Sequence, residues 1–179
     1  MQLFLIPASK ENFDATVMRD VDMDMARQHL SPTQVERLEG DLGSRRSFNC
    51  WAMTENKAGV FQRMNPGDMV LFTLKETARF DYKASVMTTL ESQRFGEALW
   101  TNVPGKPWTL IYLIEGMERV DLPKSRVVSA LGYSPEYVVQ GASRVKPEHL
   151  RTVIRKYGSF DCFIHAMKAK HTSREEEDQ

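Results

Sequence analysis

Three tryptophans are the residues of this sequence whose chemistry is most informative. Trp51 lies near the end of an apolar segment, just ahead of the polar run 54–57, while Trp100 and Trp108 flank a polar turn at 101–107. An indole beside a polar turn either packs beneath the turn or forms the wall of a pocket, and core packing is the commoner role. Aromatic walls with a polar rim suit a methylated nucleobase, because the rings stack on the base and enclose its methyl group.

Catalytic motifs are absent from the sequence. It contains no Walker loop, GxGxxG, HExxH or GxSxG pattern. Its four histidines are isolated and its two cysteines form no CxxC pair, so we expect no metal and no cofactor. Glu115, Asp121 and Lys124 leave a nuclease or other hydrolase open as an alternative, although such acidic and lysine sets occur by chance in most sequences. We therefore expect a binding domain rather than an enzyme.

The charge is unevenly distributed along a chain whose net charge is zero. Residues 1–40 hold four Lys/Arg and seven Asp/Glu, whereas residues 41–174 hold 20 Lys/Arg and 13 Asp/Glu. Phosphate binding depends on local surface charge, so the basic middle of the chain is compatible with nucleic acid. Solvated surface charge is the alternative interpretation. The candidate phosphate contacts are Arg45, Arg46, Arg144, Lys146 and Arg151.

The apolar pattern predicts an α+β domain. Short apolar or alternating segments bounded by turn residues predict five strands, at Gln2–Pro7, Ser47–Met53, Met69–Leu74, Phe80–Leu90 and Thr109–Val120. Proline and cap residues predict helices from Ser31, from Pro123 to Leu131 and from Pro147 to Lys156. The polar segment 11–30 predicts a loop followed by an irregular helix. Without a βαβ rhythm, these elements indicate a curved mixed β-sheet or small barrel of about five to six strands with peripheral helices.

The length of 179 residues predicts one domain, over 1–166, followed by a charged tail or linker at 167–179 that leads to a missing downstream domain. No apolar run is long enough to span a bilayer, and the first residues lack the basic stretch of a signal peptide. We therefore expect a cytoplasmic protein with no membrane partner.

Several segments resemble the YTH/EVE group of the PUA-like superfamily, whose members bind modified bases in an aromatic cage. The likeness runs nearly end to end. It covers the opening strand and loop at 4–13, the strand with the first cage tryptophan at 50–56, the EVE-type turn and strand at 65–72, the following strand at 79–84, the second cage tryptophan at 98–100 and the loop before the last helix at 140–147. Shorter strings, at 97–100, 111–113 and 131–133, resemble the amino-terminal specificity domains of McrB-type, modification-dependent restriction systems.

The resemblance assigns roles to individual residues. Trp51 and Trp100 would be the cage walls, while Ser9 and Asn12 would line the edge of the pocket. Trp108 would be a third wall or a core residue. In the loop where YTH domains offer an acidic residue to the base, Ser143 is the nearest polar substitute.

The resemblance also implies a function. The domain would bind methylated DNA and take one flipped base, best matched by N6-methyladenine, into the cage as the specificity domain of a restriction system. A downstream GTP-hydrolysing motor and a nuclease subunit would complete that system. The alternative is a YTH-like domain that binds methylated adenine in single-stranded RNA.

Overall fold

The computed structural model describes residues 1–101 and 108–168 and contains both strands and helices. The strands are β1 (Leu3–Ala8), β2 (Val21–Asp22), β3 (Ser47–Met53), β4 (Met69–Leu74), β5 (Arg79–Glu91), β6 (Leu110–Pro123) and β7 (Ser143–Arg144). The helices are α1 (Lys10–Thr16), α2 (Met23–His29), α3 (Pro32–Leu42), α4 (Ala58–Phe61), α5 (Gln93–Leu99), α6 (Lys124–Ala130), α7 (Pro147–Tyr157) and α8 (Phe160–Lys168), with a 3-10 turn at Glu55–Lys57.

The strands form one open curved sheet in the order β2-β3-β6-β5-β4-β1-β7. β1 pairs in parallel with β4, and the other pairs are antiparallel. The predicted α+β class and mixed curved sheet are confirmed, and all five predicted strands are present. The described residues form seven strands rather than the expected five to six, because the two-residue strands β2 and β7 add an edge on each side.

Alternating apolar residues let the sheet bury both of its faces. In β1, Phe4 and Ile6 belong to a core that contains Trp51 and Trp100 and against which Trp108 packs. Leu3 and Leu5 belong to a second core beneath α6, α7 and α8. We call these the first core and the second core. Because successive side chains of a strand point to opposite faces, the two cores lie on opposite sides of β1.

Local capping explains where several helices begin. The Ser31 side chain accepts from the Gln34 N–H and the Gln34 side chain accepts from the Ser31 N–H, which forms the capping box that starts α3. The loop predicted at the start of segment 11–30 was wrong, because α1 occupies it, whereas the helix predicted after that loop is present as α2. Helix α2 starts where the Asp22 side chain accepts a hydrogen bond from the N–H of Asp24.

Four helices of the described part of the chain were not predicted, namely α1, α4, α5 and α8. The predicted domain boundary at residue 166 falls within α8, and the predicted charged tail lies outside the described residues from position 169 onward. None of the helices in the described part of the chain combines the length and the apolar character needed to cross a bilayer.

Candidate functional site

Three separate segments bring the tryptophans together on the first-core side of the sheet. Trp51 lies in β3, Trp100 is the C-cap of α5, and Trp108 comes shortly before β6. α5 lies within the connection from β5 to β6. Leu110, the first residue of β6, pairs with Met53 at the end of β3. The connection therefore returns to the sheet close to Trp51.

The three indoles contact one another in a closed arrangement, which we call the tryptophan cluster. The ring centroids of Trp51 and Trp100 are 6.0 Å apart with an interplanar angle of 81°. Trp108 lies 5.2 Å from Trp51 and 5.3 Å from Trp100. Trp51 and Trp100 are only 4% and 3% exposed, and Trp108 is half-buried. Tilted and edge-to-face contacts at these separations are favourable for aromatic pairs.

This geometry differs from the expected open pocket between Trp51 and Trp100. A base stacked between two parallel rings needs the rings about 7 Å apart, twice a contact distance of about 3.5 Å. The observed rings are closer and nearly perpendicular. Each indole is a large apolar surface, so the rings gain by covering one another. The polar sequence around Trp100 suggested a pocket wall, yet α5 carries this residue into the first core.

Further aromatic side chains, which the sequence did not single out, surround the tryptophan cluster. Trp51 also contacts Phe13 of α1 and Phe72 of β4, at centroid distances of 6.1 and 6.4 Å. Phe13 in turn packs 5.3 Å from the ring of Tyr82 in β5, which is half-buried. Phe13 directly follows Asn12, so its position beside a proposed pocket residue was the signal that could have identified it.

Helix α1 carries the two polar residues expected at the pocket edge. Ser9 is the N-cap of α1, and its hydroxyl accepts a hydrogen bond from Asn12 Nδ2 at 2.8 Å. The hydroxyl of Thr16 donates to the carbonyl of Cys50 in β3 at 2.6 Å, which fixes the helix against the strand that carries Trp51. Through Phe13, the structure thus brings Ser9 and Asn12 to the same side of the sheet as the tryptophan cluster. Their contact with a base stays a prediction.

Buried polar atoms on this side of the sheet lack hydrogen-bond partners. Among the described residues, Asn12 Oδ1, Trp100 Nε1 and Tyr112 Oη are buried without a partner. Leaving such an atom unpaired costs about 1–3 kcal/mol, and each case in a folded protein calls for an explanation. Burial raises the pKa of the Tyr112 phenol well above its ordinary value, so this group remains a neutral hydroxyl. The set comprises an acceptor, an N–H donor and a hydroxyl, which are the groups that recognise the edge of a base.

Ser143 lies elsewhere. In β7 it stands directly opposite Leu5 of β1. Directly opposed residues of neighbouring strands project to the same face, and Leu5 belongs to the second core. The Ser143 side chain therefore lies on the second-core side of the sheet, away from the tryptophan cluster, and its contact with a base stays a prediction. The preceding residue, Ala142, packs against the first core.

The five candidate phosphate contacts divide between two edges of the sheet. Arg45 and Arg46 precede β3 at the β2 edge, where Arg45 pairs with Glu115 at 3.3 Å. The remaining three lie at the β7 edge, in β7, at the start of α7 and within α7; they are Arg144, Lys146 and Arg151. The five residues therefore do not form one continuous patch along a strand, and their contact with phosphate stays a prediction.

The residues of the hydrolase alternative do not form one site. Glu115 and Asp121 are six residues apart on β6, which separates them by roughly 20 Å at the rise of an extended strand. Glu115 pairs with Arg45, Asp121 with Arg79, and Lys124 Nζ donates to a backbone carbonyl at 3.3 Å. Each group thus has its own structural partner. In residues 1–101 and 108–168, no three His, Cys, Asp or Glu side chains are grouped so that they could hold a metal ion.

Together, fold and site define an α+β domain with a curved, mostly antiparallel sheet and a tryptophan cluster on one face. A similar solved structure is the N-terminal domain of Thermococcus gammatolerans McrB bound to m5C DNA, with a TM-score of 0.63 and 21% sequence identity. The alignment covers 87% of this chain and 96% of that domain. This likeness confirms the fold expected from the sequence resemblance.

Two YTH domains are also similar, at lower scores. The YTH domain of Zygosaccharomyces rouxii MRB1 in complex with N6-methyladenosine RNA has a TM-score of 0.44 and 11% identity, over 87% of this chain and 85% of that one. The Pho92 YTH domain in complex with m6A has a TM-score of 0.43 and 13% identity, over 89% and 87% of the two chains. No protein-family model matches the chain, and no curated protein matches it significantly.

Proposed function

We propose that this domain binds a methylated base of nucleic acid in the tryptophan cluster, and that its preferred ligand is N6-methyladenine flipped out of duplex DNA. The observation that carries the proposal is the convergence of Trp51, Trp100 and Trp108 from separate segments, with unpaired buried polar atoms on the same side of the sheet. The fold it shares with a domain described as bound to m5C DNA supports a methylated ligand.

Binding requires the indoles to rearrange, because the closed cluster has no parallel gap between Trp51 and Trp100. Separating an aromatic pair forfeits about 0.5–1.5 kcal/mol beyond its buried area. Stacking a base on an aromatic side chain returns about 1–3 kcal/mol. Extruding that base from a duplex costs a few kcal/mol. The favourable and unfavourable contributions are similar in size, so an unmodified base gains little from entering.

The methyl group of a modified base then decides whether the base enters the tryptophan cluster. Burying one methyl contributes about 0.8 kcal/mol by area. At the base edge, Asn12 Oδ1 offers an acceptor for the remaining N–H of a methylated adenine amino group, and Trp100 Nε1 offers a donor for a ring nitrogen. Both atoms would gain a bond that they lack in the closed cluster, which favours a base with donor and acceptor side by side.

In this proposal the domain supplies recognition within a modification-dependent restriction system in the cytoplasm. A downstream GTP-hydrolysing motor and a nuclease subunit supply movement and cleavage. The five candidate cations hold the DNA backbone independently of methylation, since phosphate contacts carry no sequence information.

The test is a binding panel measured by fluorescence anisotropy. One sequence is prepared as duplex DNA, single-stranded DNA and single-stranded RNA, each with a plain base, N6-methyladenine or 5-methylcytosine at one position. We expect the tightest binding to duplex DNA with N6-methyladenine. Trp100→Ala should bring methylated and plain duplexes to the same weak, salt-dependent affinity, because the stacking wall is lost.

The matched control is Phe163→Ala, which removes a fully buried ring from the second core. It should lower stability as Trp100→Ala does, yet keep the preference for methylated DNA in the folded protein. Equal binding of methylated and plain ligands by the wild-type domain would refute the proposal. Preference for single-stranded methylated RNA would favour the YTH-like alternative, and preference for 5-methylcytosine would reassign the modification.

A further inference from the structure

A glycine in α5 lies unusually close to the backbone of Trp108. A Cβ atom built on Gly96 would be 2.1 Å from the carbonyl oxygen of Trp108 and 3.0 Å from its carbonyl carbon. Real Cβ atoms do not approach other heavy atoms below 3.0 Å, and here the neighbour is backbone rather than the end of a flexible side chain. Gly96 is needed for space and not for backbone conformation, because its φ is not positive.

The same glycine also fixes Trp100. The carbonyl oxygen of Gly96 accepts a hydrogen bond from the Trp100 backbone N–H at 3.1 Å. At the start of the helix, the Ser92 N–H donates to the carbonyl of Thr109 at 3.0 Å, which ties α5 to the chain entering β6. Gly96 therefore touches the backbone of both Trp100 and Trp108, whose ring centroids are 5.3 Å apart.

We propose that Gly96 is a positioning residue that seats Trp108 as the third wall of the base-binding site, an inference that rests on the proposed function. Any side chain at position 96 must move α5 and the Trp108 backbone apart by about 0.9 Å to reach 3.0 Å, and by about 1.3 Å before the contact becomes ordinary. Binding sites tolerate misplacements of about 0.5 Å. A methyl group at Gly96 thus exceeds the tolerance of the site without touching a ligand.

The experiment compares Gly96→Ala with Gly40→Ala. Gly40 lies in α3, and a Cβ there meets nothing within 4 Å, so it reports the general effect of a helical glycine-to-alanine change. The probes are a duplex with one N6-methyladenine and the same duplex unmodified. Gly96→Ala should lower the ratio of the two affinities by about fourfold, the factor that corresponds to the roughly 0.8 kcal/mol of one buried methyl group. Gly40→Ala should leave the ratio unchanged.

A double-mutant cycle with Trp108→Ala separates positioning from general packing. Once the Trp108 indole is gone, adding Gly96→Ala should cause no further loss of the affinity ratio, even though the backbone overlap persists. Near-ultraviolet circular dichroism should show altered tryptophan signals in Gly96→Ala with an unchanged far-ultraviolet spectrum. An unchanged affinity ratio in folded Gly96→Ala, or a fully additive loss in the double variant, would overturn the inference.

Two further outcomes are distinguishable. If the wild-type domain shows no preference for any methylated probe, the proposed function fails, and the role of Gly96 in it fails too. If Gly96→Ala does not fold, Ser92→Ala loosens the same helix by removing the hydroxyl that accepts from the Phe95 N–H. That variant should show a partial loss of the affinity ratio, and a wild-type ratio there would overturn the inference.

Discussion

Replacing Trp51 by alanine should destabilise the domain as strongly as a core truncation. Trp51 is only 4% exposed and contacts four aromatic rings, those of Phe13, Phe72, Trp100 and Trp108. Truncating a buried tryptophan to alanine typically costs about 3–5 kcal/mol. We expect the free energy of unfolding to fall by about this amount, a large share of the 5–15 kcal/mol that is typical of a domain.

Urea denaturation followed by far-ultraviolet circular dichroism measures this loss. Trp108→Ala is the internal comparison, because Trp108 is half-buried and contacts only the two other tryptophans among the described aromatic rings. It should lose less than half as much stability as Trp51→Ala. A loss below about 1 kcal/mol for Trp51→Ala would show that the indole is not packed as described, since surface substitutions fall in that range. An open pocket wall would behave in that way.

Two other expectations follow from the environment of single groups. Burial raises the pKa of the Cys50 thiol, whereas the Cys162 thiol is exposed. A maleimide should therefore label one thiol in the native protein and two in denaturant. Rapid labelling of both thiols in the native protein would contradict this. Hydrogen bonds from Lys168 and, to a smaller extent, from Lys83 lower the pKa of the Glu118 carboxyl below its ordinary value of 4.5. These two contacts therefore stabilise the fold above pH 4.5, and their contribution is lost as the pH falls through the lower pKa of Glu118 in the folded protein. The difference in free energy of unfolding between wild type and Glu118→Gln should be small at pH 7, because these charges are exposed, and it should disappear at acidic pH. Urea titrations at several pH values measure this difference, and a difference that stays constant with pH would contradict the expectation.

The sequence predicted elements that have a local signature and missed those that depend on distant contacts. Ser31 and Pro32 mark the start of α3 through capping chemistry, and this prediction was confirmed. The strands β2 and β7 have two residues each, which is too short for any periodic pattern, so only their pairing partners define them. The direction of the Ser143 side chain could not be predicted for the same reason, because its register opposite Leu5 sets that direction.

In the candidate site, too, the sequence predicted which residues take part but not the geometry that depends on distant contacts. Sequence resemblance selected Trp51 and Trp100, and both lie in one cluster, but the angle between their rings depends on packing against α1, α5 and β4, which no local pattern contains. Gly96 was likewise invisible, because a glycine inside a helix has no sequence signal for a backbone that approaches it from a residue 12 positions later.

The closed tryptophan cluster has a consequence for background binding to unmodified DNA. In an open cage, a flipped base could stack without displacing other rings, and the methyl group would add only its own burial. In the closed cluster, every base must first replace contacts among Trp51, Trp100 and Trp108. A ligand shifts such an equilibrium only by its differential affinity for the two states. The opening cost lowers the affinity for plain and methylated bases alike, so it leaves their ratio unchanged but reduces occupancy by unmodified DNA. Selection of the methylated base among an excess of unmodified bases therefore depends on the methyl contacts themselves, and the closed cluster only lowers the background occupancy.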